Sequence, residues 1–147
     1  MDTLEADDLL GIWQTRGDYD KSIIVSEDKD LKTIPGWLYR QGKLEEISEQ
    51  HANYNWMMQT LTGDATDGYS GLPGTGPKKA EKIPHEALDG LGSMQLAPAL
   101  TYMWDHVVAA YEKAGLAVED ALLQARLARI LRASDWDGQK QEVILWQ

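Results

Sequence analysis

Residues 21–31 read KSIIVSEDKDL. Ile23, Ile24 and Val25 are three β-branched residues in unbroken succession. A short continuous apolar run of this kind predicts a parallel strand buried on both faces, because a half-exposed strand would alternate. The acidic "SEDKDL" falls where that strand ends. In open α/β sheets, ligand and catalytic groups gather outside the carboxyl ends of strands. The run therefore predicts an α/β fold and marks Asp28 and Asp30 as candidate site residues.

Upstream, residues 4–15 place Leu4, Leu9, Ile12 and Trp13 at roughly helical spacing, with acids in the first turn, where the positive end of the helix dipole favours them. "RGDYD" then breaks the helix. Downstream, Trp37–Tyr39 and Leu44–Ile47 flank the turn "RQGK" and predict two short strands. Tyr54, Met57, Met58 and Leu61 return to helical spacing, closed by Gly63. Pro77 opens a further helix in "PKKAEKI". Residues 84–98 predict a loop with room for a short helix. Residues 99–114 predict an amphipathic helix closed by Gly115, and 118–134 another, with Leu122, Leu123, Leu127, Ile130 and Leu131 on one face. "EVILW" at 142–146 reads as a final strand or an apolar tail. The order is α/β first and helical second, dividing the chain into 1–62 and 63–147.

The 147-residue chain has no cysteine, which excludes disulfides, thiolate zinc sites and cysteine nucleophiles. No apolar run reaches the roughly 18–20 residues that span a bilayer, and the acidic start "MDTLEADDLL" is neither a signal nor a transit peptide, so a cytoplasmic protein is expected. A formal net charge of -10 argues against nucleic-acid binding by the bulk surface but leaves room for a local basic patch. His51, His85 and His106 lack ligand spacing, and the tryptophans and tyrosines are expected to fill the core. Tyr69 has two readings, core residue or surface for DNA.

Three acidic clusters stand out: Glu5, Asp7 and Asp8; Asp28 and Asp30; Asp64 and Asp67. Glu5 and Asp8 share a helix face, and Asp28 and Asp30 on extended chain point the same way. Oxygen-rich clusters suit hard cations such as Mg²⁺ or Mn²⁺. A pair of such ions roughly 3.5–4 Å apart serves phosphodiester hydrolysis. Taken singly, each cluster also reads as first-turn electrostatics, a solvated turn or Asx-turn chemistry.

"GLPGTGPK" at 71–78 is not a Walker phosphate loop, because Pro77 stands where the lysine belongs. It reads either as a plain turn between helices or as a hairpin whose backbone N–H groups bind a DNA phosphate. Gly74 and Gly76 would admit the phosphate, and Lys78, Lys79 and Lys82 would add charge without base specificity.

Taken in order, "EADD", "VSEDKDL" and "GDATDGYSGLPGTGPKKAEKI" resemble the 5′→3′ exonuclease and flap endonuclease family, in particular phage-type exonucleases and the 5′-nuclease domain of bacterial DNA polymerase I. "AYEKAGL", "ARLARILRASDWD" and "EVILW" extend the likeness to the phage type. The resemblance implies the C-terminal part of a PIN-like α/β nuclease domain, followed by a mainly helical helix–three-turn–helix subdomain that grips duplex DNA. It implies that Glu5, Asp7, Asp8, Asp28, Asp30, Asp64 and Asp67 hold two divalent ions, Mg²⁺ or Mn²⁺, with Asp28, Asp30 and Asp67 foremost in catalysis. It assigns DNA contacts to Gly71, Gly74, Thr75, Gly76, Lys78, Lys79 and Lys82, and a potassium ion to Gly71, Leu72 and Thr75. The family's first strand, with its metal-binding aspartate, and its basic arch have no counterpart before "EADD". The expected function is therefore a divalent-metal 5′→3′ exonuclease acting on duplex DNA with a 5′ end or flap, in a bacterial or phage-infected cell. The alternatives are a duplex-DNA-binding module that needs a separately encoded N-terminal half to cut, and an inert remnant.

Overall fold

The computed structural model describes residues 4–17, 22–91 and 99–147. The fold is mixed α/β and divides into two compact units, Met1–Ala52 with Ile130–Gln147, and Asn53–Arg129. No helix among the described residues is long and apolar enough to cross a membrane.

The first unit opens with helix α1 (Ala6–Thr15), which carries Asp7 and Asp8 in its first turn. Strands β1 (Ile23–Val25), β2 (Gly36–Arg40) and β3 (Lys43–Ile47) form one sheet in that order. β1 runs parallel to β2, with Ile24 opposite Leu38, and β2 pairs antiparallel with β3. Gln41 and Gly42 connect β2 to β3 with φ of 51° and 74°, the positive values that a tight two-residue hairpin turn demands. Period-two alternation sends Ile24 and Leu38 to one face, where they join Leu31, Ile34, Ile47 and Ala52 in a core that Leu10 and Ile130 flank.

The C-terminal segment closes this core. Leu131 N–H donates to Asp8 Oδ1 (3.0 Å), Ala133 N–H to Thr15 Oγ1 (2.7 Å), and the buried Arg132 guanidinium to the Thr33 carbonyl (2.8 Å). Strands β4 (Trp136–Asp137) and β5 (Glu142–Val143) end the unit as a separate two-stranded ladder.

In the second unit, helix α2 (Glu49–Thr62, whose first residues belong to the first unit) buries Trp56, Met57 and Leu61 completely. Helices α3 (Pro77–Ala80), α4 (Lys82–Leu91), α5 (Ala99–Lys113) and α6 (Val118–Leu127) complete it. Trp56 Nε1 donates to the Ala125 carbonyl (2.8 Å), and Arg129 lies over the indole at 4.2 Å from the ring centroid. Tyr111, buried on α5, donates its hydroxyl to the Thr60 carbonyl (2.7 Å).

Several expectations are corrected. Of the β1 run only Ile24 is buried, because nothing among the described residues covers the other face of the sheet. Residues 84–91, expected as a loop with room for a short helix, lie within α4, and 92–98 lie outside the described residues, as do 18–20 of the "RGDYD" break and residue 21. Helix α6 ends at Leu127 rather than 134, because the N–H groups of Leu131 and Ala133 bond to side chains of α1 instead of helical carbonyls. Its inward face is Ala121 and Ala125, small enough for the Trp56 indole to approach, and Leu123 and Leu127 are exposed. Trp13 and Trp37 are likewise exposed rather than core. Of 142–146, read as a final strand or an apolar tail, Glu142–Val143 is strand, and Ile144 and Leu145 are exposed.

Two stability outcomes follow from this packing. A Cβ at Gly11 would lie 2.2 Å from the Leu131 carbonyl oxygen and 2.9 Å from Ile34 Cδ1. Gly11→Ala will therefore lower stability by about 1–3 kcal/mol, although helix propensity alone favours alanine by about 1 kcal/mol; a urea melt reads the sign. Tyr111→Phe strands the Thr60 carbonyl and will cost about 1–3 kcal/mol at neutral pH. Burial first, and then the charge of Asp120, push the Tyr111 phenol well above its ordinary value. The folded state thus resists ionisation, so this stabilisation is complete below about pH 10, the unfolded value, and shrinks as pH rises above it. The stability gap between wild type and Tyr111→Phe will narrow across that alkaline limb.

Candidate functional site

The acids of the first unit sit at element starts. Glu5 stands at the N-cap position of α1 without a side-chain capping bond and is exposed, and Asp7 and Asp8 are half-buried in the first turn. Asp8 spends one oxygen on Leu131 N–H. Asp28 and Asp30 are not an extended pair. Asp28 Oδ1 accepts the Asp30 N–H (2.8 Å), and Asp30 opens a 3₁₀ turn (Asp30–Thr33) in which the Thr33 hydroxyl donates to the Asp30 carbonyl (2.8 Å). The aspartate after β1 thus caps the next turn, and both carboxylates stay at the end of the strand.

The acids of the second unit sit on a tight loop after α2. Asp64 and Tyr69 exchange both backbone hydrogen bonds (2.9 and 3.1 Å), and Asp64 Oδ1 accepts the Thr66 N–H (2.8 Å). Asp67 is exposed at the tip of this loop, and Tyr69 is buried as a core residue.

The glycine hairpin follows. Gly63 and Gly71 have φ of +68° and +64° and meet backbone to backbone: a Cβ on Gly71 would lie 2.3 Å from the Gly63 nitrogen. Leu72 N–H donates to the Leu61 carbonyl (2.9 Å), and Gly71 N–H to Gln124 Oε1 (2.7 Å) from α6. Gly74 (φ +68°) and Gly76 have open space where a side chain would be. Thr75 is buried, and its hydroxyl has no hydrogen-bond partner among the described residues. Lys78, Lys79 and Lys82 are exposed. Lys79 and Lys82 line a groove of about 540 Å³, which Lys113 of α5 also lines.

Two residues were missed by sequence reasoning. Gln124 holds the hairpin from 53 residues away, and no local pattern signals it. Lys113 reads as an ordinary last-turn helix cation, and only the packing of α5 brings it to the groove of Lys79 and Lys82.

No family model matches the chain, and no solved structure does. Among curated proteins, the chain is 31% identical over 167 residues to an exodeoxyribonuclease of Enterobacteria phage T3, covering 97% of this chain and 55% of that protein. It is 31% identical over 169 residues to an exonuclease of Escherichia phage T7, covering 98% and 56%. Both relatives are phage exonucleases, and the likeness to them runs over nearly the whole of this chain. The chain spans about half the length of the curated relatives it matches and corresponds to their C-terminal part. The hairpin's internal support rests on Gln124.

Gln124→Ala will cost about 1–3 kcal/mol by leaving the Gly71 N–H without its partner, whereas Gln124→Glu, which keeps an acceptor oxygen, will retain most of the stability. Amide exchange at Gly71 checks this directly: fast in the alanine variant, slow in the glutamate one.

Proposed function

We propose that this chain is the C-terminal part of a divalent-metal-dependent 5′→3′ exonuclease that hydrolyses DNA phosphodiester bonds. The match to two phage exonucleases across 97% and 98% of the chain carries the reading. We assign residues 1–62 to a PIN-like metal-binding part and 63–147 to a helix–three-turn–helix part that grips duplex DNA. Glu5, Asp7, Asp8, Asp28, Asp30, Asp64 and Asp67 are the proposed metal ligands, Asp28, Asp30 and Asp67 foremost. A donor set of carboxylates alone fits Mg²⁺ or Mn²⁺ and not a soft or thiolate-seeking metal. Such a pair, when bound, supplies an activated water and a counter-charge for the leaving oxygen.

The chain's own residues position the substrate. The open hairpin at Gly74–Gly76 takes a phosphate, and Lys78, Lys79 and Lys82 neutralise its neighbours without reading bases. Thr75, whose buried hydroxyl is unpartnered among the described residues, would hold a potassium ion at the same turn together with the carbonyls of Gly71 and Leu72. A duplex with a 5′ end or flap is the proposed substrate. A second reading is duplex binding without cleavage until a separate N-terminal half is supplied.

Nuclease and gel-shift assays separate these readings. Asp28→Ala and Asp67→Ala will each reduce Mg²⁺-dependent nucleotide release by about 10²-fold or more and leave duplex binding intact. Lys78→Ala with Lys79→Ala will weaken binding on all sequences and lower the salt slope by about 2. Binding without cleavage by the wild type selects the second reading. Neither binding nor cleavage, with or without Mg²⁺, overturns both.

A further inference from the structure

Helix α5 presents one face to the groove beside the hairpin. Lys113, Ala110, Ala109 and His106 follow one another at helical spacings of three or four residues overall, so they share that face, and all four line the groove. Ala109 and Ala110 are small and keep this wall low. Lys79 of α3 and Lys82 of α4 line the same groove, as do Leu72 and Pro73 of the hairpin. Gly74, the first residue of the bare tip, follows Pro73 directly, so the groove adjoins the tip.

Three lysines from three helices thus converge on one groove. The chain carries 24 acidic residues against 14 lysines and arginines, and elsewhere its lysines meet carboxylates. Lys32 bonds Glu45 (2.8 Å), and Lys140 lies 3.9 Å from Asp137. Lys82 and Lys113 have no ion-pair partner among the described residues, although Glu86 lines the same groove. Lys79 Nζ donates to the Gly74 carbonyl, at 3.5 Å. Converging ammonium groups repel one another unless an anion sits among them. A lysine in the last turn of a helix complements the dipole, but that role does not require it to meet two other lysines.

We infer that Lys113 is a DNA-phosphate contact that carries the grip on the duplex from the hairpin onto α5. This rests on the exonuclease reading and deepens it by adding a residue outside the hairpin and the helix that follows it. A strand with one phosphate at Gly74–Gly76 continues along the groove past Lys79 and Lys82 to Lys113. The contact is to the backbone, so it adds affinity and fixes register without reading bases. An acidic peptide would meet the same three lysines. The duplex is favoured because the groove adjoins a tip with open space where side chains would be, room that a duplex backbone needs and a short peptide does not.

The test is fluorescence anisotropy of a labelled blunt duplex over a salt series, with divalent metal chelated so that no strand is cut. Lys113→Ala will weaken binding about 3-fold or more and lower the salt slope by about 1. Added to Lys78→Ala with Lys79→Ala, it will bring the loss of slope to about 3. Lys113→Arg, which keeps the charge, will restore the slope. A purely structural role at the end of α5 would move the melting temperature and leave the slope alone. Lys43→Ala, exposed on the first unit, will bind as wild type does. In a second measurement, the duplex will protect Lys113 from acetylation and leave Lys43 reactive. The inference is overturned if Lys113→Ala keeps the wild-type slope, if the duplex leaves Lys113 as reactive as before, or if a poly-aspartate peptide protects Lys113 and the duplex does not. Duplex binding by the wild type with an unchanged slope in Lys113→Ala overturns this inference alone. No duplex binding by the wild type overturns the proposed DNA grip as well.

Discussion

The contact of Gly63 with Gly71 constrains the second unit more than any other feature. Two backbone segments meet so closely that no side chain fits between them, and both residues adopt left-handed backbone. Given that contact, α2 ends at Thr62, and the Asp64–Tyr69 bridge folds the intervening residues back on themselves. Leu72 then reaches the Leu61 carbonyl and buries its side chain, while Gly74 and Gly76 turn outward into open space. The same geometry that hides Tyr69 leaves Asp67 in solvent. A loop that looks merely glycine-rich thus contains two kinds of glycine. One kind fastens the hairpin to its own helix, and the other leaves its tip bare.

This distinction marks how far the sequence could be read. Local chemistry was legible: the Gln41–Gly42 turn, the Gly63 stop, the Pro77 start and the Gly115 stop all rest on backbone preferences of one or two residues. The parallel pairing of β1 was legible from an apolar run. What was not legible is whatever depends on partners far along the chain. The 118–134 pattern remained helical until Leu131 and Ala133 found acceptors on Asp8 and Thr15, more than a hundred residues away in sequence. The leucine stripe of α6 looked like a core face, but close approach of Trp56 to Ala125 selects the small residues instead. Among the candidate site residues, the acids and lysines were visible as types in order. That Asp28 caps Asp30, or that Gln124 secures Gly71, follows only from the folded arrangement.

Asp8 shows why acids at such a site answer to two demands. As a first-turn residue it complements the helix dipole, and its carboxylate also accepts from Leu131 and so anchors the C-terminal segment. Asp28 caps a turn, and Asp64 stabilises its own loop. Carboxylates with structural bonds of this kind are held in position, which would lower the cost of ordering them around a cation, as the proposed function requires. The bland reading of each cluster, as turn or cap chemistry, and the metal-binding reading are therefore not rivals. The turn bonds are what keep these side chains in place.

Charge distribution extends the same reasoning. A chain with 24 acidic and 14 basic residues repels DNA over most of its surface, so any grip on a duplex has to be concentrated. Lys78, Lys79 and Lys82 fall within five residues of one another beside the bare glycine tip, and folding brings Lys113 to the groove that Lys79 and Lys82 line. Concentration of this kind favours one orientation of a phosphate backbone over the many weak ones that a uniformly basic surface would accept. On the proposed DNA-binding reading, the surrounding negative charge would work with the lysines, because it would penalise every other approach of the duplex.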